Sequence, residues 1–121
     1  MRKGRKKGKK IVERYIGNPI ITSEDIPVPC NTVFNAAATV YKNEYILLVR
    51  VEGVEDPRIT KVDDTYYIIY TAYSHYSPRL ALAKTEDFEN FERIALISEP
   101  VNKNAVIFPK KFKRRYVRYD R

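Results

Sequence analysis

The chain has 121 residues, enough for one small domain with one core and too few for two. Its formal net charge of +8 is concentrated at the ends: MRKGRKKGKK holds seven basic residues and no acid, and KKFKRRYVRYDR holds seven against Asp120, so residues 11–109 are net acidic. That distribution argues against a broad basic face for nucleic acid, the single cysteine, Cys30, excludes an internal disulfide, and no apolar run approaches the ~20 residues of a membrane-spanning helix.

In chain order, residues 1–10 lack apolar anchors and are expected to form a disordered basic arm. No apolar segment follows the arm as it would in a secretory signal, so a cytoplasmic protein is expected. Residues 11–121 form the folded unit. NTVFNAAATV, EYILLVRV, PRITKV, TYYIIYTA, RLALAKT, FERIALIS, NAVIFP and RRYVRY are short and rich in β-branched or aromatic residues. They are separated by the turn-like KNE, DD, SHYSP, EDFEN and EPVNKN. No segment sustains a 3.6-residue apolar period, which predicts an all-β chain of antiparallel hairpins.

The hairpins repeat. VYKNEYILLVR parallels KVDDTYYIIYT, with Val40 matching Val62 and Tyr45 matching Tyr66, and FKRRYVRYD offers Tyr116 in the same role. Four-stranded repeats of ~40 to 50 residues are the signature of propeller blades. Tyr66 and Tyr116 are 50 residues apart but Tyr45 and Tyr66 only 21, a deficit that falls between Glu52 and Gly53.

Immediately after that gap stands GVEDPRIT. Pro57 fixes its own φ and disfavours the helical region for the residue before it, so Asp56 is expected on extended, stiffened backbone with its carboxylate aimed in one direction. The plainer reading is a turn leading into a strand, with a surface ion pair to Arg58. Cys30 is a poor nucleophile candidate, because the only histidine, His75, lies in a tyrosine-rich loop with nothing to mark it as a partner. The acids of TEDFENF read as a blade turn over Phe88 and Phe91, and no metal site is expected.

Taken together, NPIITSEDIPVPCNTVFNAAATVY, GVEDPRITKVDDTYYIIYTAYS, SPRLALAKTEDFENFERIALISEP and NKNAVIFPKK resemble, in that order, the N-terminal portion of glycoside hydrolase family 130. FNAA, VEDPRI and NKNAVIFP together carry the likeness. The resemblance implies a partial five-bladed β-propeller, here about two incomplete blades of antiparallel strands. It implies a truncated relative of inverting β-mannoside phosphorylases and β-mannosidases, acting on β-mannoside oligosaccharides with inorganic phosphate as co-substrate and no other cofactor.

Inverting glycosidases use two carboxyl groups, whereas a phosphorylase needs one acid and a cationic cradle, because phosphate is already an anionic nucleophile. By resemblance Asp56 matches the general acid, which passes its proton to the glycosidic oxygen through a sugar hydroxyl and which Pro57 and Arg58 would orient. Asn35 and Arg50 match positions that hold the mannosyl unit, and Lys103 another basic residue facing that subsite. Arg79 matches a phosphate-contacting arginine and Arg118 lies near another site position of the family, so both are expected to bind phosphate. Asp120 stands where many relatives carry histidine, and an acid there repels phosphate.

Each residue also has a plainer reading: Asn35 satisfying a turn, Arg50 guarding a sheet edge, Lys103 and Asn104 as turn residues, and the tyrosines as propeller packing, against which Tyr70 and Tyr73, near the acid, are candidates to line a saccharide site. Three functions follow. The first is a mannoside phosphorylase or hydrolase relative with weak or no activity as an isolated chain. The second is a non-catalytic remnant or ring-completing subunit, pairing with itself or with a complementing chain through open strand edges. The third is nonspecific nucleic-acid binding through the basic arms, which lacks a supporting fold motif.

Overall fold

The described residues form eight strands, and their placement follows the apolar runs. The computed structural model describes residues 12–51 and 54–121; the basic arm expected over residues 1–10 lies outside the described residues. The strands are β1 (Phe34–Tyr41), β2 (Glu44–Arg50), β3 (Val54–Val62), β4 (Thr65–Ala72), β5 (Arg79–Thr85), β6 (Glu92–Leu96), β7 (Ala105–Ile107) and β8 (Arg118–Asp120). One 3-10 turn, Ser23–Asp25, precedes them, and Thr22 and Asp25 cap it reciprocally. No helix among the described residues is long and apolar enough to cross a membrane.

The order is a meander. β1 pairs with β2, β3-β4-β5-β6 form one antiparallel four-stranded sheet, and β7 pairs with β8. Lys42 and Asn43 connect β1 to β2 with φ of 48° and 65°, the mirror-image turn that suits right-twisted strands.

The central sheet is covered on both faces, which explains why TYYIIYTA is apolar without alternation. On one face Thr60, Val62, Tyr67, Ile69, Thr71, Leu80 and Leu82 turn toward β7, where Val62, Ile69 and Leu80 pack with Ala105 and Ile107. Thr60 Oγ1 donates to the Ile107 carbonyl at 3.1 Å and Thr71 Oγ1 to the Lys103 carbonyl at 2.7 Å, so the polar members of this face are satisfied. On the other face Ile68, Tyr70 and Ala83 turn toward Leu47, Leu48 and Val49 of β2, across an apolar cleft. The Tyr66 hydroxyl donates to the Val40 carbonyl at 3.1 Å. A four-stranded blade between two two-stranded sheets is the local architecture of a propeller.

One sequence expectation fails here. RRYVRY was expected to be a strand, but Lys113 and Arg114 take φ of 50° and 63° and form a tight turn in which Phe112 and Arg115 exchange backbone hydrogen bonds. Only Arg118–Asp120 pairs with β7.

The turn after β5 is held by side chains rather than by glycine. Thr85 Oγ1 accepts from the Asp87 and Phe88 amides, and Asp87 Oδ1 accepts from Glu89 and Asn90 at 2.9 and 2.8 Å. The Asn90 side-chain amide, with the Asn90 and Glu89 backbone amides, holds the Asp87 carboxyl well below the usual carboxylate range. A depressed folded-state value contributes stability that is present above the unfolded value near 3.8 and is lost as pH falls through the folded one. Asp87→Ala is therefore expected to be less stable than wild type at pH 7, with the difference shrinking below about pH 4; urea melts at both pH values check this.

Candidate active site

In an up-and-down meander, odd strands begin and even strands end at the same pole. Asn35 lies at the start of β1, Arg50 at the end of β2, Glu55 and Asp56 at the start of β3, and Tyr73 just past β4. Arg79 opens β5, Lys103 lies just before β7, and Asp120 closes β8. The register agrees: Phe34 faces Arg50, Ala72 faces both Val54 and Arg79, and Ala105 faces Asp120. The residues singled out from the sequence thus gather at one pole, although they span 86 positions.

Two β-bulges build the centre of this pole. The β1–β2 register slips between Phe34 and Ala37, and the β3–β4 register slips between Glu55 and Arg58. Within the slips, Asn35 takes φ of 50° and Asp56 φ of 48°. That left-handed conformation costs most residues ~1–3 kcal/mol, and asparagine and aspartate tolerate it best. The extended backbone expected for Asp56 is therefore corrected: the proline disfavours the right-handed helical region, and the bulge uses the left-handed one.

The bulges bring the two strained residues together. Asn35 Nδ2 donates to Asp56 Oδ1 at 2.5 Å. Arg50 Nη1 lies 3.6 Å from the same oxygen, while Arg50 Nη2 pairs with Glu55 Oε1. Neighbouring residues on a regular strand point to opposite faces, so one arginine reaching both Glu55 and Asp56 requires the bulge. The three charged side chains are about one-fifth exposed. No hydrogen-bond partner among the described residues falls to Asp56 Oδ2.

Arg58 does not orient this carboxyl, contrary to expectation. Its Nη1 donates to the Pro57 carbonyl at 3.0 Å, and the side chain lines a cleft with Asn104, Val106, Tyr119 and Arg121 on the opposite face of the sheet. Pro57 is buried and anchors the bulge against β2. Arg50, from the neighbouring sheet, takes the place foreseen for Arg58. Glu55 carries a contact that sequence reasoning did not assign, and two adjacent acids before a proline in a strand were its signal.

Lys103 is fixed through its backbone by Thr71, and its ammonium lies 5.3 Å from the centre of the Tyr73 ring. Tyr70 stands across the β3–β4 bulge from Asp56 and Pro57 and lines, with Pro57, the apolar cleft against β2. Arg79 and Arg118 line one cleft of about 660 Å³ together with Ile97, Glu99, Asn102 and Asp120. Arg118 is engaged there: Nε and Nη2 grip the two Asp120 oxygens at 2.5 and 2.7 Å, and Nη1 donates to the Ile97 carbonyl. Asn102 Nδ2 adds a contact to Asp120 Oδ2 at 3.2 Å.

Comparison with known proteins bears on this geometry. The family described as β-1,4-mannooligosaccharide phosphorylase matches residues 49–121. A β-1,2-mannobiose phosphorylase from Listeria innocua is 40% identical over 74 residues, 61% of this chain and 20% of that protein. The solved complex of β-1,2-mannobiose phosphorylase from Listeria innocua with β-1,2-mannobiose superposes with a TM-score of 0.52 at 33% identity, over 61% of this chain and 24% of that one.

A β-1,4-mannooligosaccharide phosphorylase from Ruminococcus albus is 23% identical over 158 residues, 93% of this chain and 47% of that protein. Its alignment exceeds the length of this chain by most of a propeller blade. A structure of one of the glycoside hydrolases of GH130 that target β-1,2-mannosidic linkages in Candida mannan, 17% identical with a TM-score of 0.56 over 62% of this chain and 37% of that one, shares the fold.

The chain spans between a fifth and a half of the curated relatives it matches. Its blade and part-blades correspond to part of a five-bladed β-propeller. With the family match covering more than half of its residues, the chain belongs to glycoside hydrolase family 130.

Proposed function

We propose that this chain carries the sugar-holding and acid-donating part of a site for β-mannoside oligosaccharides, with Asp56 as the general acid. In the reaction, the bond from the mannosyl anomeric carbon to the bridging oxygen breaks. Asp56 supplies the proton that the leaving oxygen needs, relayed through a sugar hydroxyl, while phosphate enters at the anomeric carbon, or water does so with loss of its own proton to bulk solvent. Asn35 and Arg50 hold the mannosyl unit beside the acid, and Lys103 faces the same subsite. Arg79 and Arg118 are the cationic groups for phosphate as co-substrate.

The observation that carries the reading is the Asn35–Asp56–Arg50 contact, built by two facing bulges. Strained asparagine and aspartate residues meeting beside an arginine have no need in packing, whereas a positioned acid beside sugar-binding donors does.

The 121-residue polypeptide alone is expected to turn over weakly or not at all. A propeller site lies on the central axis and draws on all the blades, and misplaced reactants forfeit powers of ten in rate. Its two-stranded flanking sheets favour completion of the ring by a second copy or a complementing chain, in the cytoplasm.

The test is incubation of the purified chain with β-1,2- and β-1,4-mannobiose, with and without phosphate, reading mannose 1-phosphate and mannose. No product above buffer is expected. Turnover abolished by Asp56→Asn would uphold the acid and refute the expected inactivity; turnover that survives Asp56→Asn would refute the acid.

A further inference from the structure

We infer that Asp120 is the acceptor-selecting residue of this site: its carboxylate occupies the guanidinium fork of Arg118 that a phosphate would need, so the chain as it stands disfavours inorganic phosphate. The inference rests on the reading of Arg79 and Arg118 as the anion-facing side of the site.

The Nε and Nη2 edge of the fork is filled, and three of the five Arg118 N–H groups have acceptors in the chain. Arginine recognises phosphate by presenting two parallel N–H groups to two oxygens, and a carboxylate uses the same edge in the same way. Here Nε and Nη2 hold Asp120 Oδ1 and Oδ2 at 2.5 and 2.7 Å, and Nη1 is spent on the Ile97 carbonyl. Each guanidinium nitrogen of Arg118 therefore has an acceptor from the chain itself. Residues two apart on a strand share a face, so β8 itself holds the pair side by side, and Asn102 steadies the carboxylate at 3.2 Å.

Charge points the same way. The cleft holds two cations, Arg79 and Arg118, and two carboxylates, Glu99 and Asp120. A phosphate arriving there must displace an intramolecular anion whose effective concentration is high, and must approach Glu99 as well. Arg118 and Asp120 are about one-third exposed, so the pair is open to exchange rather than sealed. Neutralising Asp120 leaves the cleft with one net positive charge and returns the Nε and Nη2 edge of Arg118 to a ligand.

Inorganic phosphate is titrated at constant ionic strength into the wild-type chain, Asp120→Asn and Asp120→Ser, following the arginine side-chain resonances by NMR. Asp120→Asn and Asp120→Ser are expected to bind phosphate at least about tenfold more tightly than wild type, with the shift centred on Arg118 Nε. The gain is expected to vanish in Asp120→Asn combined with Arg118→Gln. Wild type binding within about twofold of Asp120→Asn would overturn the inference, as would either variant, folded by its own spectrum, gaining no affinity. Mannobiose shifts at Asn35 and Asp56 in the same samples read the sugar side separately, so failure of the acid reading and failure of this one give different spectra.

Discussion

Leu80→Ala is expected to lower the unfolding free energy by about 3 kcal/mol, in the usual range for deleting a fully buried leucine side chain. Leu80 is 1% exposed and sits where β5 packs with Val62 and Ile69 against Ala105 and Ile107. The contact is therefore between blades as well as within one. A domain of this size has only about 5–15 kcal/mol of stability, so the loss is a large fraction of the whole. Leu96, at the outer strand and 57% exposed, is the control, and Leu96→Ala is expected to cost less than about 0.5 kcal/mol. Urea denaturation of the two variants checks both. Equal losses would mean that β7 does not pack on the blade as described.

Arg50→Ala is expected to cost about 2 kcal/mol and to remove mannobiose binding. Arg50 is the cation that lies between Glu55 and Asp56, and its loss leaves two carboxylates adjacent in a bulge already held in a left-handed conformation. The stability loss is set below that of a fully buried pair because these side chains keep about one-fifth of their exposure. Arg50→Lys is expected to recover part of the stability but not sugar binding, since an ammonium cannot engage two acids through separate nitrogens. Denaturant melts and a mannobiose titration of the two variants separate the effects.

The strands were legible because β-branched and aromatic runs alternate with turn residues; that β4 is covered on both faces was not foreseen, although the unbroken apolar character of TYYIIYTA was its signal. The C-terminal segment was not legible. Nothing in KRRYVR marks Lys113 and Arg114 as turn residues, since lysine and arginine lack the short side-chain acceptor of asparagine or aspartate and have no special freedom at positive φ.

The pole that collects Asn35, Arg50, Asp56, Arg79, Lys103 and Asp120 follows from hairpin parity alone, once the strands are placed. The bulges do not follow from it. Regular alternation would place Glu55 and Asp56 on opposite faces and hide the arginine they share, so the role of Arg50 at Asp56 was misassigned to Arg58. The pairing of Arg118 with Asp120 was within reach, because residues two apart on a strand lie on one side.

The central claim is that Asn35, Arg50 and Asp56 form one sugar-facing site, and the most direct measurement is an NMR titration of the labelled chain with β-1,2- and β-1,4-mannobiose. Saturable shifts at these three residues and at Lys103, weakened by Asn35→Ala and absent in Arg50→Ala, are the predicted result. Shifts confined to residues away from that pole, or a titration unchanged by either substitution, would contradict it.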